Sequence, residues 1–161
     1  MRPFEDARLK EIEALYRSRF PHFVQVATAI VGDREVALEA VQDAFADVVR
    51  SRRTFRGEGP LEAWIWRAVV NASYKARRAH DPPTTAAQDR ENGYELHDEG
   101  DIWPHIAVLP ERQRTALFLR YYADLDYRSI AAALGIEVGT VSATLSAAHT
   151  SLRRALERSR R

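Results

Sequence analysis

Between Ile65 and His80 the chain carries Trp66, Asn71, Tyr74, Lys75, Arg77 and Arg78, and not one acidic residue. Aromatic rings stack on bases and interleaved cations pair with phosphates, so this composition suits single-stranded nucleic acid. The chemistry on offer is recognition and not bond making. Helical periodicity sorts the side chains. Leu61, Trp64, Ile65, Ala68 and Ala72 recur at steps of three and four, which places Trp64 in a core. Trp66, Val70, Asn71, Tyr74, Lys75 and Arg78 lie away from that stripe and are the nucleic-acid candidates. Taken alone, the segment also fits a solvated helix face, because exposed Arg on helices is common.

A second pattern runs from Tyr127 to Ser142. Asp126 is placed to cap a helix, since its carboxylate accepts from orphan backbone N–H groups. Ile130, Leu134, Ile136, Val141 and Leu145 supply an apolar interior, and small Ala131 lets two helices cross closely. Gly135 falls where the chain must leave the helix with positive φ. This is the layout of a helix-turn-helix, whose second helix enters a major groove. The alternative is an ordinary helical hairpin; the joint placement of Ala131, Gly135, Ile136 and Val141 favours DNA binding. Arg128, Thr140, Ser142, Thr144, Ser146 and Arg153 are the candidate contacts.

Other chemistries lack their residues. There is no cysteine, which removes thiolate metal sites, disulfides and cysteine nucleophiles together. His22, His80, His97, His105 and His149 show no helical i, i+4 pair, so no metal is expected. Arg56-Gly57-Glu58-Gly59 lacks the Lys-Ser/Thr ending of a phosphate loop, and no Gly-x-Ser-x-Gly elbow occurs. No enzyme and no cofactor are expected.

The elements that must position these residues are helical nearly throughout, so the expected fold is all-α. Helices are predicted near Glu5–Phe20, His22–Val31, Arg34–Arg50 and Pro60–Ala79. Further helices are predicted at Ile102–Val108, Pro110–Tyr122, Tyr127–Leu134 and Val138–Glu157. Asp81-Pro82-Pro83-Thr84-Thr85 ends the fourth, because Pro cannot continue a helix and restricts its predecessor. The expected organisation is two small helical domains, 1–80 and 102–161, joined by a flexible linker at 81–101. Charge follows the same division. Residues 1–80 hold 14 basic and 11 acidic side chains, residues 81–102 hold 1 and 7, and residues 103–161 hold 9 and 5. Two mildly basic blocks flank an acidic connector, which suits a polyanionic partner. No run approaches the roughly 20 apolar residues of a membrane span, and Met1–Asp6 has no signal-peptide pattern. A cytoplasmic chain without membrane insertion is expected.

Several motifs together resemble a family. Val41-Gln42-Asp43-Ala44-Phe45, Phe55-Arg56-Gly57-Glu58-Gly59, Ala63-Trp64-Ile65-Trp66-Arg67 and Asn71 resemble region two of the extracytoplasmic-function sigma factors, members of the sigma-70 superfamily. Leu109-Pro110-Glu111-Arg112-Gln113-Arg114, Leu119-Arg120-Tyr121-Tyr122 and Ile130–Val141 resemble region four. The resemblance implies a subunit that directs RNA polymerase core to promoters and opens the minus-ten element. It implies docking of Glu39, Gln42 and Asp43 on the beta-prime coiled coil, and of region four on the beta flap. It implies that the loop Phe55–Pro60 and Asn71 form a pocket for a base flipped from the non-template strand. Trp66, Tyr74, Lys75, Arg77 and Arg78 would hold the melted strand, and region four would read the minus-thirty-five duplex. An anti-sigma factor is a further implied partner.

The chain departs from the family pattern in places. Val36 and Leu38 stand where acidic residues are usual, and Asp47 where a basic one is. Val138–His149 contains no Lys or Arg, and each missing phosphate contact takes about 0.9 off the salt slope of binding. The helix N-terminus still offers N–H groups to a phosphate. Weak, salt-sensitive duplex contact by this half alone is the expectation. Two other readings stand beside the sigma factor: a stand-alone helix-turn-helix regulator, and a paralogue that binds polymerase or an anti-sigma partner without driving initiation.

Overall fold

The computed structural model describes residues 3–80 and 102–161; the expected linker at 81–101 lies outside the described residues. All regular structure within them is helical. The elements are α1 (Pro3–Val31), α2 (Arg34–Ser51), a 3-10 turn (Arg52–Thr54), α3 (Leu61–His80), α4 (Trp103–Ala107), α5 (Glu111–Tyr121), α6 (Tyr127–Leu134) and α7 (Val138–Ser159).

Local chemistry sets most of the boundaries. Gly32 leaves α1 at φ 85°. Asp33 then caps α2, accepting from the N–H of Glu35 at 2.9 Å and of Val36 at 3.2 Å, as an N-cap carboxylate does. One predicted break is absent: α1 runs without interruption through Pro21. Pro21 is exposed while Phe23, Val24, Val26 and Ala27 behind it are buried. The carbonyl that loses its donor at Pro21 therefore faces solvent, and core burial on the opposite face holds the helix together.

α1, α2 and α3 pack against one another. The inner stripe of α2 is Ala37, Ala40, Val41, Ala44, Phe45 and Val48. Phe23 joins the three helices, with its ring centroid 5.1 Å from Phe45 and 4.4 Å from Trp66. α3 buries Ala63, Ile65, Trp66, Val69, Val70 and Ser73. That set is wider than one helical stripe, because α3 is flanked by α1 and α2 on one side and by α6 on another.

The sorting of α3 from periodicity is therefore corrected. Trp66 has no exposed surface and Val70 only 1 %, while Trp64 is half-buried at the rim. The periodic stripe containing Trp64 is real, but a helix covered on two sides buries residues on both flanks of it.

In the C-terminal half, Asp126 caps α6 by accepting from Ser129 N–H at 2.7 Å. This bond, with a second from the Ser129 hydroxyl, holds the Asp126 carboxyl below its ordinary range. Gly135 ends α6 in the left-handed region (φ 65°, ψ 38°), and Ile136 N–H returns to the Ala131 carbonyl at 3.0 Å. These bonds satisfy end carbonyls that a helix otherwise leaves orphaned. The chain bends by 98° between α6 and α7, the angle of a helix-turn-helix. Val141, Leu145 and Ala148 of α7 are buried beneath Ile130 and Ala133 of α6 and the apolar face of α5. The buried residues of the two halves form one continuous apolar cluster. Among the described residues, no single helix is long and apolar enough to cross a membrane.

Candidate nucleic-acid interface

After the 3-10 turn, residues 55–60 leave helical conformation. Gly57 and Gly59 take φ of 76° and 88°, a region costly for a residue with a Cβ, and Pro60 precedes the first turn of α3. The resulting loop stands off the start of α3 and encloses a cavity of about 240 Å³. Phe55, Arg56, Glu58, Trp64 and Arg67 line it, with Ala132 of α6 at its edge. The Phe55 and Trp64 rings lie 5.3 Å apart at 40° and form an aromatic wall. Arg8 of α1 braces this wall from behind. Its guanidinium sits 4.7 Å over the Phe55 ring and donates to the Phe55 carbonyl at 3.2 Å. The space therefore has a stacking surface, two guanidinium donors and one carboxylate acceptor, which are the groups needed to hold a planar, hydrogen-bonding ring.

Sequence reasoning placed the loop Phe55–Pro60 at this site but did not find Trp64, Arg67 or Arg8. The periodic stripe drew Trp64 inward, and Arg8 is 47 residues from its partner. Trp66, by contrast, turns into the core. Its indole N–H points to the Glu62 carboxylate at 3.4 Å, and Glu62 also pairs with Arg19 at 3.0 Å. Trp66 presents no face to a nucleic acid.

Farther along α3, Arg67, Asn71, Lys75 and Arg78 are exposed at steps of four, four and three, so they share one face continuing from the cavity. Tyr74 and Arg77 turn instead towards the C-terminal half. The Tyr74 hydroxyl donates to Thr115 Oγ1 at 2.9 Å, and Arg77 pairs with Glu111 at 3.0 Å. Burial pushes the Tyr74 phenol above its ordinary value, although the Thr115 bond pulls the other way.

On α7, Thr140, Ser142 and Ser146 are exposed, as are Arg128 on α6 and Arg153 farther along α7. The Thr144 hydroxyl is committed to its own helix, donating to the Thr140 carbonyl at 2.7 Å. Glu137 makes no side-chain cap bond, so the first N–H groups of α7 remain available to an anion.

On α2, Glu39, Gln42 and Asp43 are exposed on one row, and the Asp47–Arg50 ion pair continues it. Beside that row lies an apolar groove of about 660 Å³ between α1 and α2, bordered by Leu9, Ile12, Tyr16, Gln42, Phe45 and Val49. No group of three or more His, Asp or Glu placed to hold a metal ion occurs among the described residues.

Comparisons with known proteins agree with this geometry. Residues 15–82 match the family model "Sigma-70 region 2" and residues 106–158 match "Sigma-70, region 4". The chain is 30 % identical to the RNA polymerase sigma-H factor of Pseudomonas aeruginosa, over 79 % of this chain and 76 % of that one. It is 28 % identical to the sigma-E factor of Streptomyces antibioticus, over 91 % and 85 %. Among solved structures, it is similar to the sigma factor RpoE of Bartonella quintana in complex with the anti-sigma factor NepR. That match has TM-score 0.70 and 20 % identity, and covers 92 % of this chain and 98 % of the other. CnrH in complex with the cytosolic domain of CnrY matches at TM-score 0.69 and 20 % identity, over 92 % and 89 %. A loop-bounded cavity on a basic helix and a helix-turn-helix thus occur in the order of two matched sigma regions, and the chain belongs to the extracytoplasmic-function sigma factors of the sigma-70 family, which direct RNA polymerase to promoters and initiate transcription.

Proposed function

We propose that the cavity between the Phe55–Pro60 loop and α3 receives a base flipped from the melted minus-ten strand. One observation carries this reading: the cavity opens onto the exposed row Arg67, Asn71, Lys75 and Arg78, so a base on the Phe55–Trp64 wall leaves its strand running along exposed cations. Unstacking a base costs a few kcal/mol, which stacking and hydrogen bonds inside the cavity offset. Arg56 and Arg67 donate to ring acceptors, and Glu58 accepts from an exocyclic amine. Tyr74 and Arg77 join the strand contacts once they leave Thr115 and Glu111.

The row Glu39, Gln42 and Asp43 on α2 docks on a basic surface of the polymerase core, in keeping with the family's beta-prime contact, and the C-terminal half meets the beta flap. α7 enters the minus-thirty-five major groove with Thr140, Ser142 and Ser146 towards base edges, and Arg128 and Arg153 at phosphates. With so few cations on α7, the minus-ten contacts carry the larger share of promoter affinity. Residues 1–80 and 102–161 act as the two recognition units, in the cytoplasm. The solved neighbours are held by anti-sigma factors, and an anti-sigma partner is proposed here too.

The test is run-off transcription with sigma-free core polymerase on a genomic promoter library. Specific transcripts that vanish with Asn71→Ala and with Trp64→Ala are the expected result. Core binding without transcripts would favour a factor that no longer initiates. Absence of core binding would refute the reading.

A further inference from the structure

A histidine stands on the row of α7 that is proposed to meet DNA. Ser142, Ser146, His149 and Arg153 are exposed at steps of four, three and four, so they line one flank of the helix beside buried Val141, Leu145 and Ala148. The row has no Lys or Arg before Arg153, which leaves His149 as the group that can add charge to it. A second element holds the imidazole. The Tyr121 hydroxyl, at the end of α5, lies 2.8 Å from His149 Nε2, and the ring centroids are 5.8 Å apart. Tyr121 is itself 59 % exposed. Among the described residues, no carboxylate pairs with His149. Of the helices packed on α7, α4 has His105 as its titratable group and α6 has Tyr127 and Arg128. On α5, Glu111 and Arg112 lie in the first turn, far from Tyr121, and Glu111 is held by Arg77. Arg114 donates to the Ala107 carbonyl and Arg120 to the Leu125 carbonyl. On α7 itself, Arg153 and Arg154 follow one turn on and Glu157 two turns on. A positive charge on His149 is therefore not answered within its surroundings.

We infer that His149, oriented by Tyr121, is a proton-dependent phosphate contact, so that α7 grips duplex DNA more tightly as pH falls. The inference rests on the reading of α7 as a duplex-binding helix. In a neutral imidazole one nitrogen donates and the other accepts; in the imidazolium both donate. A tyrosine hydroxyl both donates and accepts, so the Tyr121 bond persists in either state and fixes the ring. In the charged state Nε2–H donates to the Tyr121 oxygen, and Nδ1–H is left for an incoming anion. A phosphate oxygen then receives a charge-assisted bond and neutralises the ring. The sign follows from that bond. An anion favours the charged form, so binding takes up a proton, and affinity falls as rising pH removes it. Histidine is the side chain that makes this change between about pH 5 and pH 8. His149 is the contact, and Tyr121 is a positioning residue that acts through it.

The experiment uses the full chain, His149→Gln, His149→Arg and Tyr121→Phe. Binding is read by anisotropy of a rhodamine-labelled, mixed-sequence duplex, because phosphate contacts do not depend on sequence. Titrations at fixed ionic strength are run at about pH 8 and about pH 5.5, on either side of the usual histidine range, and each is repeated across a salt series. His22, His80, His97 and His105 titrate in every form, so the comparison with His149→Gln isolates His149. The parent should match His149→Gln at the higher pH and bind roughly fivefold tighter than it at the lower one, the effect of one exposed charge-assisted bond. Its salt slope should then be steeper than that of His149→Gln by about 0.9, the value of one added phosphate contact. His149→Arg should bind tightly at both pH values. Tyr121→Phe should follow the parent at the higher pH and lose part of the gain at the lower one; a full gain would overturn the role of Tyr121. The same pH response in the parent and in His149→Gln would overturn the inference. If His149→Arg still gains affinity, that failure leaves the reading of α7 intact. If His149→Arg binds no better than His149→Gln at either pH, the row does not meet DNA, and the reading of α7 falls together with the inference.

Discussion

Trp66→Ala separates a structural role from a recognition role at one residue. Trp66 is fully enclosed, in ring contact with Phe23 at 4.4 Å and close to the centre of the α1–α2–α3 core. Replacing it with Ala removes the indole from a site that can only partly collapse, and such truncations cost about 3–5 kcal/mol. For a chain of this size, each kcal/mol lowers the melting temperature by roughly 2–4 °C, so a fall on the order of 10–15 °C is expected. The weak indole bond to Glu62 adds little, because Glu62 keeps Arg19 at 3.0 Å. Trp64 is half-buried and leans on Phe55; its loss costs about 1–2 kcal/mol but removes the stacking wall. The assay is urea unfolding followed by circular dichroism, paired with oligonucleotide binding at a temperature where both variants are folded. Trp66→Ala should lose much stability and keep binding, and Trp64→Ala should lose little stability and most of its binding. An unfolding free energy for Trp66→Ala within about 0.5 kcal/mol of the parent, together with abolished binding, would refute the assignment and mean that α3 is rotated in solution.

Three further outcomes follow from named contacts. Arg8→Ala removes both the cation over Phe55 and the bond to its carbonyl, so the 55–60 loop should become more susceptible to trypsin at Arg56 and oligonucleotide affinity should fall several-fold, with Arg8→Lys intermediate. Asp126→Ala should cost about 1 kcal/mol of stability at neutral pH, through the lost cap on α6. Because the folded Asp126 carboxyl titrates below its ordinary value of 3.8, its contribution is fully present above that value and is lost as pH falls through the depressed one; unfolding of parent and variant between pH 7 and pH 2 should therefore converge at the acid end. Duplex binding driven by Arg128 and Arg153 alone should show a salt slope of only about −2, measured by titration from low to moderate salt, and a much steeper slope would show that other cations carry the contact.

Much of this protein is legible residue by residue because its decisions are local. Asp33 and Asp126 begin helices and Gly32 and Gly135 end them, through bonds that reach no more than a few residues along the chain. The helix-turn-helix and the bulge of the 55–60 loop follow from such caps and from glycines at positive φ. The buried face of α2 reads directly, because one side of that helix is covered and the other is not. Only tertiary structure decided the rest. Periodicity gives the angle of each α3 side chain but not how many neighbours the helix will have, so it could not foresee that Trp66 and Val70 would be enclosed while Trp64 stayed at the rim. The break expected at Pro21 failed for the same reason: core burial on one side of α1 outweighs a hydrogen bond lost to solvent on the other. Arg8 with Phe55, Tyr74 with Thr115 and Arg77 with Glu111 are paired across 47, 41 and 34 residues of sequence. Nothing in local spacing selects such partners; the packing of helices around a common core brings them together.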